Sequence, residues 1–395
     1  MGNIDSTEST RQAINLSQFT MIKPIGQGAF GKVFKVKRRQ NFYALKVISK
    51  EKCIKMKAVS NIIRERTMLE FLDHPLVCNM RFAFQDTDYI YMAMDLMSAG
   101  DLRFHLTIKQ HDEMTVRFWM AELVCAVKYL HSQGIVHRDI KPDNILLDEY
   151  GHIHLSDFNI ACQIPNKSRK LKTLSGTTVY FAPEMFRRDG YTEDVDWWSV
   201  GITFYECVYG TRPWSHCTNI DELSKQILQK NIPYPKNVFS DDCISAIQCL
   251  LEKNPKKRMG HGIMTGWHSI MKHIFFKSIQ WYKIDSKQYQ PVYQPIIEEK
   301  ELSDHHNGMD WLCSRRRRKS TQNRQSQDLK ILETDYKSFD YTIFDQYEGF
   351  LDDQLMTVGP PPHWVKPAFP DADNGSVLPI TKIHLELCHS IATAY

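Results

Sequence analysis

The pattern of apolar and polar positions separates strand-like from helix-like stretches of this chain. From Phe19 to Ile48 apolar and polar residues alternate, which predicts strands, and Tyr89 to Met97 is typical of one more strand. Apolar residues at helical spacing predict helices over 58–72 and 115–132. Residues 194–209 are apolar on nearly all faces and predict a buried helix. The predicted strands thus precede the longer helices.

Between these elements lie three polar residues in a segment that is otherwise apolar, namely Asp139, Asn144 and Asp157. Apolar residues at 145–147 and 153–155, with a turn between them, predict a short hairpin. A short hairpin brings its ends together, so Asn144 and Asp157 should project into the same space, with Asp139 on the preceding loop. Two carboxylates and an amide suit a divalent cation and a proton acceptor. The alternative is a polar loop capped by Asx turns.

A glycine-rich turn interrupts the first strand-like region. Gly26, Gly28 and Gly31 form a G-x-G-x-x-G pattern, which alone is a weak signal. Residues 32–37 after it are strand-like, whereas a dinucleotide-binding fold requires a helix there. A glycine hairpin of this kind allows backbone amides to approach a polyphosphate.

Composition adds limits on the class of protein. The chain has 395 residues, of which 42% are hydrophobic and 24% charged, which is ordinary for a soluble protein of two or three packed units. The net charge of +4 argues for neither nucleic acid nor membrane. The ten cysteines lack paired short spacings, so reduced thiols in a cytosolic protein are the simplest interpretation. We find no apolar run of membrane-spanning length and no cleavable secretory signal.

The N-terminal segment, residues 1–18, starts with the M-G-x-x-x-S pattern of N-myristoylation at Gly2, although a polar start with glycine second is the alternative. A single myristoyl chain binds membranes only marginally, and the first cysteine is Cys53, too far away for a palmitate. The basic run 315–319 could supply a second, electrostatic membrane signal, serve as a nuclear address, or simply be solvated.

The order of short motifs resembles that of protein kinases. Residues 137–144 read HRDIKPDN, 157–159 read DFN and 182–184 read APE, which is similar to the H-R-D…N, D-F-G and A-P-E of that family. Phe19 to Phe276 resembles a complete kinase domain, and Lys141 is the residue that marks serine/threonine kinases.

The closer resemblance is to the YANK branch, the serine/threonine kinase 32 family of the AGC group. It rests on the N-terminal Met-Gly, the D-F-N triplet, the phrase HRDIKPDNILLDEYGHIHLSDFNIA, and residues 276–295, which are similar to the start of an AGC tail. It implies an α+β fold of two lobes, a small sheet-rich N-lobe (19–97) and a large helical C-lobe (98–276). An AGC-like extension (277–350) and a flexible tail (351–395) would follow.

The resemblance also implies roles for the polar residues of the hairpin region. Asp139 would accept or orient the proton of the attacking hydroxyl, and Lys141 would neutralise charge on the transferred phosphoryl group. Asn144 and Asp157 would hold the Mg²⁺ ions that bridge the phosphates, with Mn²⁺ as the other cation. His152 and His154, which alternate on one strand, are interpreted as structural.

ATP would bind between the lobes. Lys46, in Y-A-L-K, would be held against the phosphates by an ion pair with Glu65 of the next helix, and Glu70 is the competing candidate. The residues expected to contact the nucleotide are Ile25, Gly26, Gly28, Gly31, Val33, Ala44, Lys46, Glu65, the gatekeeper Met94, the backbone of Asp95 and Met97 at the adenine, and Asp101 at the ribose.

Further positions concern regulation and substrate choice. Thr173 is placed to take a phosphate that Arg138 could hold, with an unmodified loop threonine as the alternative. Glu184 is expected to pair with Arg258. Acidic residues at certain positions give AGC kinases a preference for basic substrates. The residues of this chain that match those positions are Asp101, Asp143 and Glu206.

One departure from the family pattern is Asn159, where D-F-G has glycine. Asparagine is the residue that best tolerates positive φ, so we interpret the change as tuning loop mobility and not as inactivation. The competing hypothesis is a nucleotide-binding scaffold without activity, for which Asn159 is the sole motivation.

The expected function is a serine/threonine protein kinase in intracellular signalling, acting on protein substrates that bear serine or threonine. We expect a monomer that does not bind nucleic acid. It would be cytoplasmic, with the inner face of the plasma membrane or the nucleus as further locations. Phe344 to Tyr347 faintly resembles an AGC hydrophobic motif.

Overall fold

The computed structural model describes residues 14–56, 58–164, 170–236, 239–262 and 266–297. The first part is a five-stranded antiparallel sheet with strand order β1-β2-β3-β5-β4. Its strands are β1 Thr20–Gln27, β2 Gly31–Arg38, β3 Asn41–Ser49, β4 Met80–Gln85 and β5 Tyr89–Asp95. Between β3 and β4 the chain forms helices α1 Lys50–Lys55 and α2 Val59–Phe71. The strands predicted between residues 19 and 48 and the helix predicted over 58–72 are confirmed.

The larger second part is mainly helical. Its helices are α3 Leu102–Ile108, α4 Glu113–Ser132, α5 Pro183–Arg187, α6 Asp194–Tyr209, α7 Ile220–Gln229, α8 Asp241–Leu250, α9 Trp267–Met271 and α10 Trp281–Asp285. Short strands β6 Ile135–Val136 and β9 Cys162–Gln163 pair with each other, as do β7 Ile145–Leu147 and β8 Ile153–Leu155. Short 3-10 turns lie at Leu16–Gln18, Pro142–Asn144, Thr178–Tyr180 and Ile274–Phe276. This is the two-lobed α+β architecture that the resemblance implied.

Two helices form the centre of the larger lobe, and local sequence sets their ends. Asp112 caps α4 by accepting a hydrogen bond from the Thr115 amide at 2.7 Å. Gly134, with φ of 71°, ends that helix. As predicted, α6 is buried along nearly its whole length. The two helices pack against each other and against the loops that carry the candidate site.

The connection between the lobes differs from the expectation. The predicted strand over 89–97 ends at Asp95, two residues early. The physical reason is that the chain leaves the sheet to pair with the other lobe: the Ala99 amide donates to the Leu147 carbonyl at 3.1 Å, and the Leu147 amide donates to the Gly100 carbonyl at 2.8 Å. Met97 therefore lies in the connector and not in a strand.

The segment after the second lobe packs against residues of both lobes. Asp285 of α10 lies 3.3 Å from His74 Nε2 and 3.2 Å from Lys128 Nζ. Tyr293 is buried, with its hydroxyl 2.8 Å from His105 Nδ1. Residues 277–297 thus form part of the folded structure.

Several sequence predictions fall outside the described residues: Gly2, the basic run 315–319, the 344–347 motif and the tail over 351–395. No helix among the residues that are described is both long enough and apolar enough to cross a membrane. The eight cysteines in those ranges are all free thiols.

Candidate active site

The centre of the site is the carboxylate of Asp139. Lys141 Nζ donates to Asp139 Oδ2 at 2.7 Å, and Asn144 Nδ2 donates to the same oxygen at 2.9 Å. The amide and the hydroxyl of Thr177 donate to Asp139 Oδ1 at 2.9 and 2.7 Å. Lys141 also reaches the Thr177 hydroxyl at 2.7 Å. The structure therefore brings together the two residues predicted to be catalytic and one predicted metal ligand.

These contacts determine the charge of Asp139. Burial acts to raise the pKa of this carboxyl, but the hydrogen bonds from Lys141 and Thr177 outweigh burial and hold its pKa below the ordinary value. Asp139 is therefore an anion at neutral pH. An anionic carboxylate held by neighbours on fixed elements can orient a hydroxyl group and take its proton.

Thr177 is a site residue that the sequence analysis missed. It approaches Asp139 because the residue before it is Gly176, with φ of 118°. A Cβ at Gly176 would lie 2.4 Å from the carbonyl oxygen of Arg138, so a side chain there would force the two loops apart. The glycine directly before a threonine, a few residues ahead of A-P-E, was the available signal.

Asp196 of α6 fixes the loop that carries Asp139, and sequence reasoning missed it as well. Its fully buried carboxylate accepts the backbone amides of His137 and Arg138, both at 2.9 Å, and lies 2.9 Å from His131 Nε2. Burial alone would raise its pKa, but the His131 hydrogen bond helps to hold the pKa below its usual value. The charged carboxylate stabilises a loop in which Arg138 has φ of 68°.

The predicted hairpin is confirmed. Ile145 pairs with Leu155 and Leu147 with Ile153, and the Ser156 amide donates to the Asn144 carbonyl at 2.9 Å. Asn144 is therefore hydrogen-bonded to the residue before Asp157, so the two ends of the hairpin lie close together as predicted. Both hydrogen bonds of the Asn144 side chain use its nitrogen, which leaves the amide oxygen to accept or to bind a cation. The Asp157 side chain is exposed to the cleft solvent.

The backbone after the hairpin corrects the interpretation of Asn159. Asp157 has φ of 62°, whereas Asn159 is not among the positive-φ residues of the described chain. Tolerance of positive φ is therefore not what allows asparagine at this position. Asn159 lies in a turn closed by the Ala161 amide donating to the Phe158 carbonyl at 3.1 Å, while Phe158 is buried against the His137 ring. The motivation for an inactive scaffold is thereby weakened.

Across the cleft, Lys46 of β3 forms an ion pair with Glu65 of α2 at 2.7 Å. The competing Glu70 instead pairs with Arg66, one helical turn away. Burial works against the Lys46 ammonium, but the carboxylates of Glu65 and Asp157 outweigh it and hold the pKa of Lys46 above its ordinary value. Lys46 is thus a cation that is stabilised by the charge of Asp157 from the other lobe as well as by Glu65.

The glycine turn lies directly beside Lys46. Gly26 pairs with Val33, and Val33 pairs with Lys46, so the three residues form one row across β1, β2 and β3. The Gly28 amide closes the turn onto the Gly31 carbonyl at 2.9 Å. A Cβ at Gly31 would lie 1.7 Å from the Val47 carbonyl oxygen, so only glycine fits there.

The remaining residues predicted to contact nucleotide lie along the same sheet and the connector. The apolar side chains among them are partly buried, namely Ile25, Val33, Ala44 and Met94. Ala44 and Met94 are cross-strand partners. The Asp95 amide donates to the Asn79 carbonyl at 3.0 Å, and the Asp95 carboxylate accepts from Arg81. Asp101 caps α3 through the Phe104 amide at 2.8 Å, so one of its carboxylate oxygens is already engaged.

Around Thr173, the structure gives Arg138 other partners. Arg138 donates to the Ile160 carbonyl and, at 3.3 Å, to the Tyr191 hydroxyl. That hydroxyl donates to the Thr173 carbonyl at 2.6 Å. Thr173 itself is exposed. Arg138 and Thr173 are therefore linked through Tyr191 in the unmodified loop.

Two structural expectations hold. His152 Nδ1 lies 2.5 Å from buried Glu122, and His154 Nε2 lies 3.2 Å from Asp148, so both histidines pair with carboxylates that support the hairpin. Arg258 donates to both oxygens of Glu184, at 2.7 and 2.9 Å. The expected ion pair between these residues is confirmed.

Comparison with known proteins identifies the fold. The protein kinase domain family matches residues 19–276. The chain belongs to the protein kinase family. A probable serine/threonine-protein kinase of Dictyostelium discoideum is 41% identical to this chain over 286 residues, which cover 72% of this chain and 62% of the relative. Human serine/threonine-protein kinase 32B is 37% identical over 294 residues, 72% of this chain and 69% of the relative.

A third relative, serine/threonine-protein kinase YPK1 of Saccharomyces cerevisiae, is 36% identical over 299 residues, 75% of this chain and 43% of the relative. The chain thus spans about two thirds or less of the length of these relatives. Human serine/threonine-protein kinase 32C is also similar, at 36% identity over 294 residues, and together with kinase 32B it agrees with the branch indicated by the sequence. The kinase domain is of the serine/threonine type.

The residues of the cleft fit the ATP and divalent metal that this family uses. Glu65 Oε2 is buried and has no hydrogen-bond partner among the described residues, directly beside the Lys46 ammonium. Asp157 and the Asn144 amide oxygen are oxygen ligands of the kind that hard divalent cations prefer. Asn144 and Asp157 would hold the metal, and Lys46 would hold the phosphates.

Proposed function

We propose that the whole chain is a serine/threonine protein kinase that transfers the γ-phosphoryl group of Mg-ATP to hydroxyl groups of protein substrates. The observation that carries the proposal is the anionic Asp139 carboxylate, held by Lys141, Asn144 and Thr177. It lies on the same loop system as Asp157. A general base beside two oxygen ligands for a cation is the arrangement that phosphoryl transfer requires.

Each residue has a defined task in this proposal. Asp139 orients the substrate hydroxyl and takes its proton as the oxygen attacks the γ-phosphorus. Lys141 neutralises charge that develops on the transferred group. Lys46, fixed by Glu65, holds the phosphates in position. When bound, Mg-ATP supplies the phosphoryl group and leaves as ADP.

The first test compares wild type with Asp157→Ala in radiolabelled phosphate transfer to a generic protein substrate. We expect transfer to fall by about 10³-fold or more, because a ligand of the charge-neutralising metal is lost. Asp189→Ala, on the exposed turn after α5, is the matched control and should retain wild-type transfer. Equal background transfer in all three proteins, with ATP still bound, would instead support a nucleotide-binding scaffold.

We further propose Mg²⁺ as the working cation, with Mn²⁺ able to replace it, because carboxylate and amide oxygens suit both.

Phosphorylation of the exposed Thr173 would draw Arg138 from the Ile160 carbonyl, since a phosphate accepts stronger, charge-assisted bonds. Mass spectrometry of the incubated kinase would test this, and an unmodified Thr173 in a fully active preparation would oppose it.

Membrane association is a separate proposal. A myristoyl group on Gly2 and the basic run 315–319 would together place a monomeric, otherwise cytoplasmic kinase at the inner face of the plasma membrane. Supporting charge comes from β1, β2 and the turn after β2, where Lys23, Lys32, Lys35, Lys37 and Arg39 are exposed or partly exposed. Sedimentation with anionic vesicles tests this: the acylated wild type should bind and Gly2→Ala should not. Accumulation in the nucleus would favour the alternative role of the basic run.

A further inference from the structure

Arg103 of α3 occupies an acidic cluster beside the catalytic loop. Its Nη1 donates to Glu206 Oε1 at 2.7 Å, and its Nη2 lies 3.2 Å from Glu206 Oε2. The same Nη2 reaches the Tyr180 hydroxyl at 2.7 Å and Asp143 Oδ2 at 3.2 Å. One guanidinium thus bridges both carboxylates of the cluster.

The cluster lies within reach of a peptide whose acceptor is bound at Asp139. Asp143 follows Lys141 by two residues, and Tyr180 follows Thr177 by three, while Lys141 and Thr177 are hydrogen-bonded to each other and to Asp139. Two or three residues of chain span about 10 Å at most, which is also the reach of about three residues of an extended peptide. Side chains within about four positions of the acceptor therefore approach the cluster.

Glu206 is satisfied without any substrate. Its side chain is buried, and its two oxygens accept from Arg103 and from the Tyr180 hydroxyl, the latter at 2.6 Å. A second guanidinium, that of Arg212, lies 3.8 Å from Glu206 Oε1. Two carboxylates therefore face two guanidiniums, and the cluster has no net charge. Two-pronged binding of a buried carboxylate is among the stronger interactions of arginine.

We propose that Arg103 is a specificity-determining residue that neutralises this acidic cluster from within, so that the kinase does not select substrates with arginine near the acceptor. This inference rests on the proposed function and revises the expectation from Asp101, Asp143 and Glu206. A substrate arginine would have to displace Arg103 from Glu206, which exchanges one ion pair for another with little net gain. Asp101, the third position, is engaged in capping α3.

The test measures the affinity of fluorescent peptides that differ only in arginine or alanine at one position near the acceptor. Anisotropy with a non-hydrolysable ATP analogue gives the ratio of the two Kd values without requiring transfer. For wild type we expect a ratio below about threefold at every position. For Arg103→Ala, which frees Glu206 and Asp143, we expect at least about tenfold tighter binding of the arginine peptide at one position, which is 1.4 kcal/mol.

Two further variants make the result specific. Arg103→Ala/Glu206→Gln should lose the new preference for arginine, because the carboxylate that creates it is gone. Arg117→Ala is the matched control: Arg117 lies on α4 and pairs with Glu113 at 2.7 Å, so the wild-type ratio should remain.

A tenfold preference of wild type for arginine would overturn the inference even if the Arg103 variant failed to fold. An unchanged ratio in a folded Arg103→Ala protein would overturn it as well. Absence of phosphate transfer to every peptide, with the expected binding ratios, would contradict the proposed kinase activity and leave the role of Arg103 intact.

Discussion

Two ion pairs in this kinase have similar bond lengths but different surroundings. Lys46 and Glu65 meet at 2.7 Å, yet the lysine side chain is 29% exposed and one oxygen of the glutamate has no hydrogen-bond partner among the described residues. Arg258 is fully buried, donates twice to Glu184, and also donates to the carbonyls of Asp194 and Glu252. The first pair has capacity for another partner and the second is saturated.

The difference separates a working pair from a structural one. In the open pair, which joins the sheet to α2, the partly exposed lysine can also bind a phosphate without leaving a buried charge unsatisfied. A saturated buried pair cannot release either partner without leaving a charge unsatisfied. Mutations should therefore affect activity at the first pair and stability at the second.

The largest effect is expected at the buried pair. Arg258→Met should lower the free energy of unfolding by about 3–5 kcal/mol, because the Glu184 carboxylate is left buried without a cation. Urea denaturation provides the measurement. Arg187→Met, at an exposed position on α5, should change that free energy by less than about 0.5 kcal/mol. A loss below 1 kcal/mol for Arg258→Met would mean that the pair does not stabilise the large lobe.

At the open pair, Glu65→Gln should reduce kcat by about 10²-fold, since the Lys46 ammonium loses its nearest anchor. The free energy of unfolding should change by less than about 1 kcal/mol, because glutamine retains the shape of the side chain. Glu70→Gln is the control on the same helix, since Glu70 pairs with its neighbour Arg66 and not with Lys46. Steady-state kinetics that show equal losses for both variants would place the lysine partner elsewhere.

A smaller effect, about tenfold in kcat, is expected for Thr177→Val, which removes the hydroxyl bonds to Asp139 and Lys141. Those bonds lower the Asp139 pKa against the opposing effect of burial. Without them the pKa rises, so the acidic limb of the kcat profile should move to higher pH. Thr177→Ser retains the hydroxyl and should restore the wild-type profile. An acidic limb at the same pH in all three proteins would show that Thr177 does not tune Asp139.

The sequence predicted those parts of the site that depend on local pattern. The hairpin that joins Asn144 to Asp157 follows from apolar residues around a turn, and the choice of Glu65 over Glu70 follows from motif spacing. Local pattern could not reveal Asp196, whose role comes from packing of a distant helix against the catalytic loop. The same holds for Arg103, which lies 103 residues from its partner Glu206.

Backbone details were also beyond the sequence. The strand predicted over 89–97 ends early because Ala99 and Gly100 bond to Leu147 of the other lobe, a contact with no local signature. For Asn159, the residue type was informative but the inference about φ was wrong. The positive φ belongs to Asp157, two positions earlier. Which residue of a loop adopts a left-handed conformation is set by the contacts that the loop makes.

The most direct test of the catalytic role of Asp139 is single-turnover phosphate transfer by Asp139→Asn, with ATP affinity measured on the same protein. Asparagine retains the size of the side chain, and its oxygen can still accept from the amide and hydroxyl of Thr177, but it cannot take the hydroxyl proton. We predict that transfer falls by about 10²-fold or more while ATP affinity remains within about twofold of wild type. Transfer at the wild-type rate would contradict the assignment of Asp139 as the proton acceptor of this kinase.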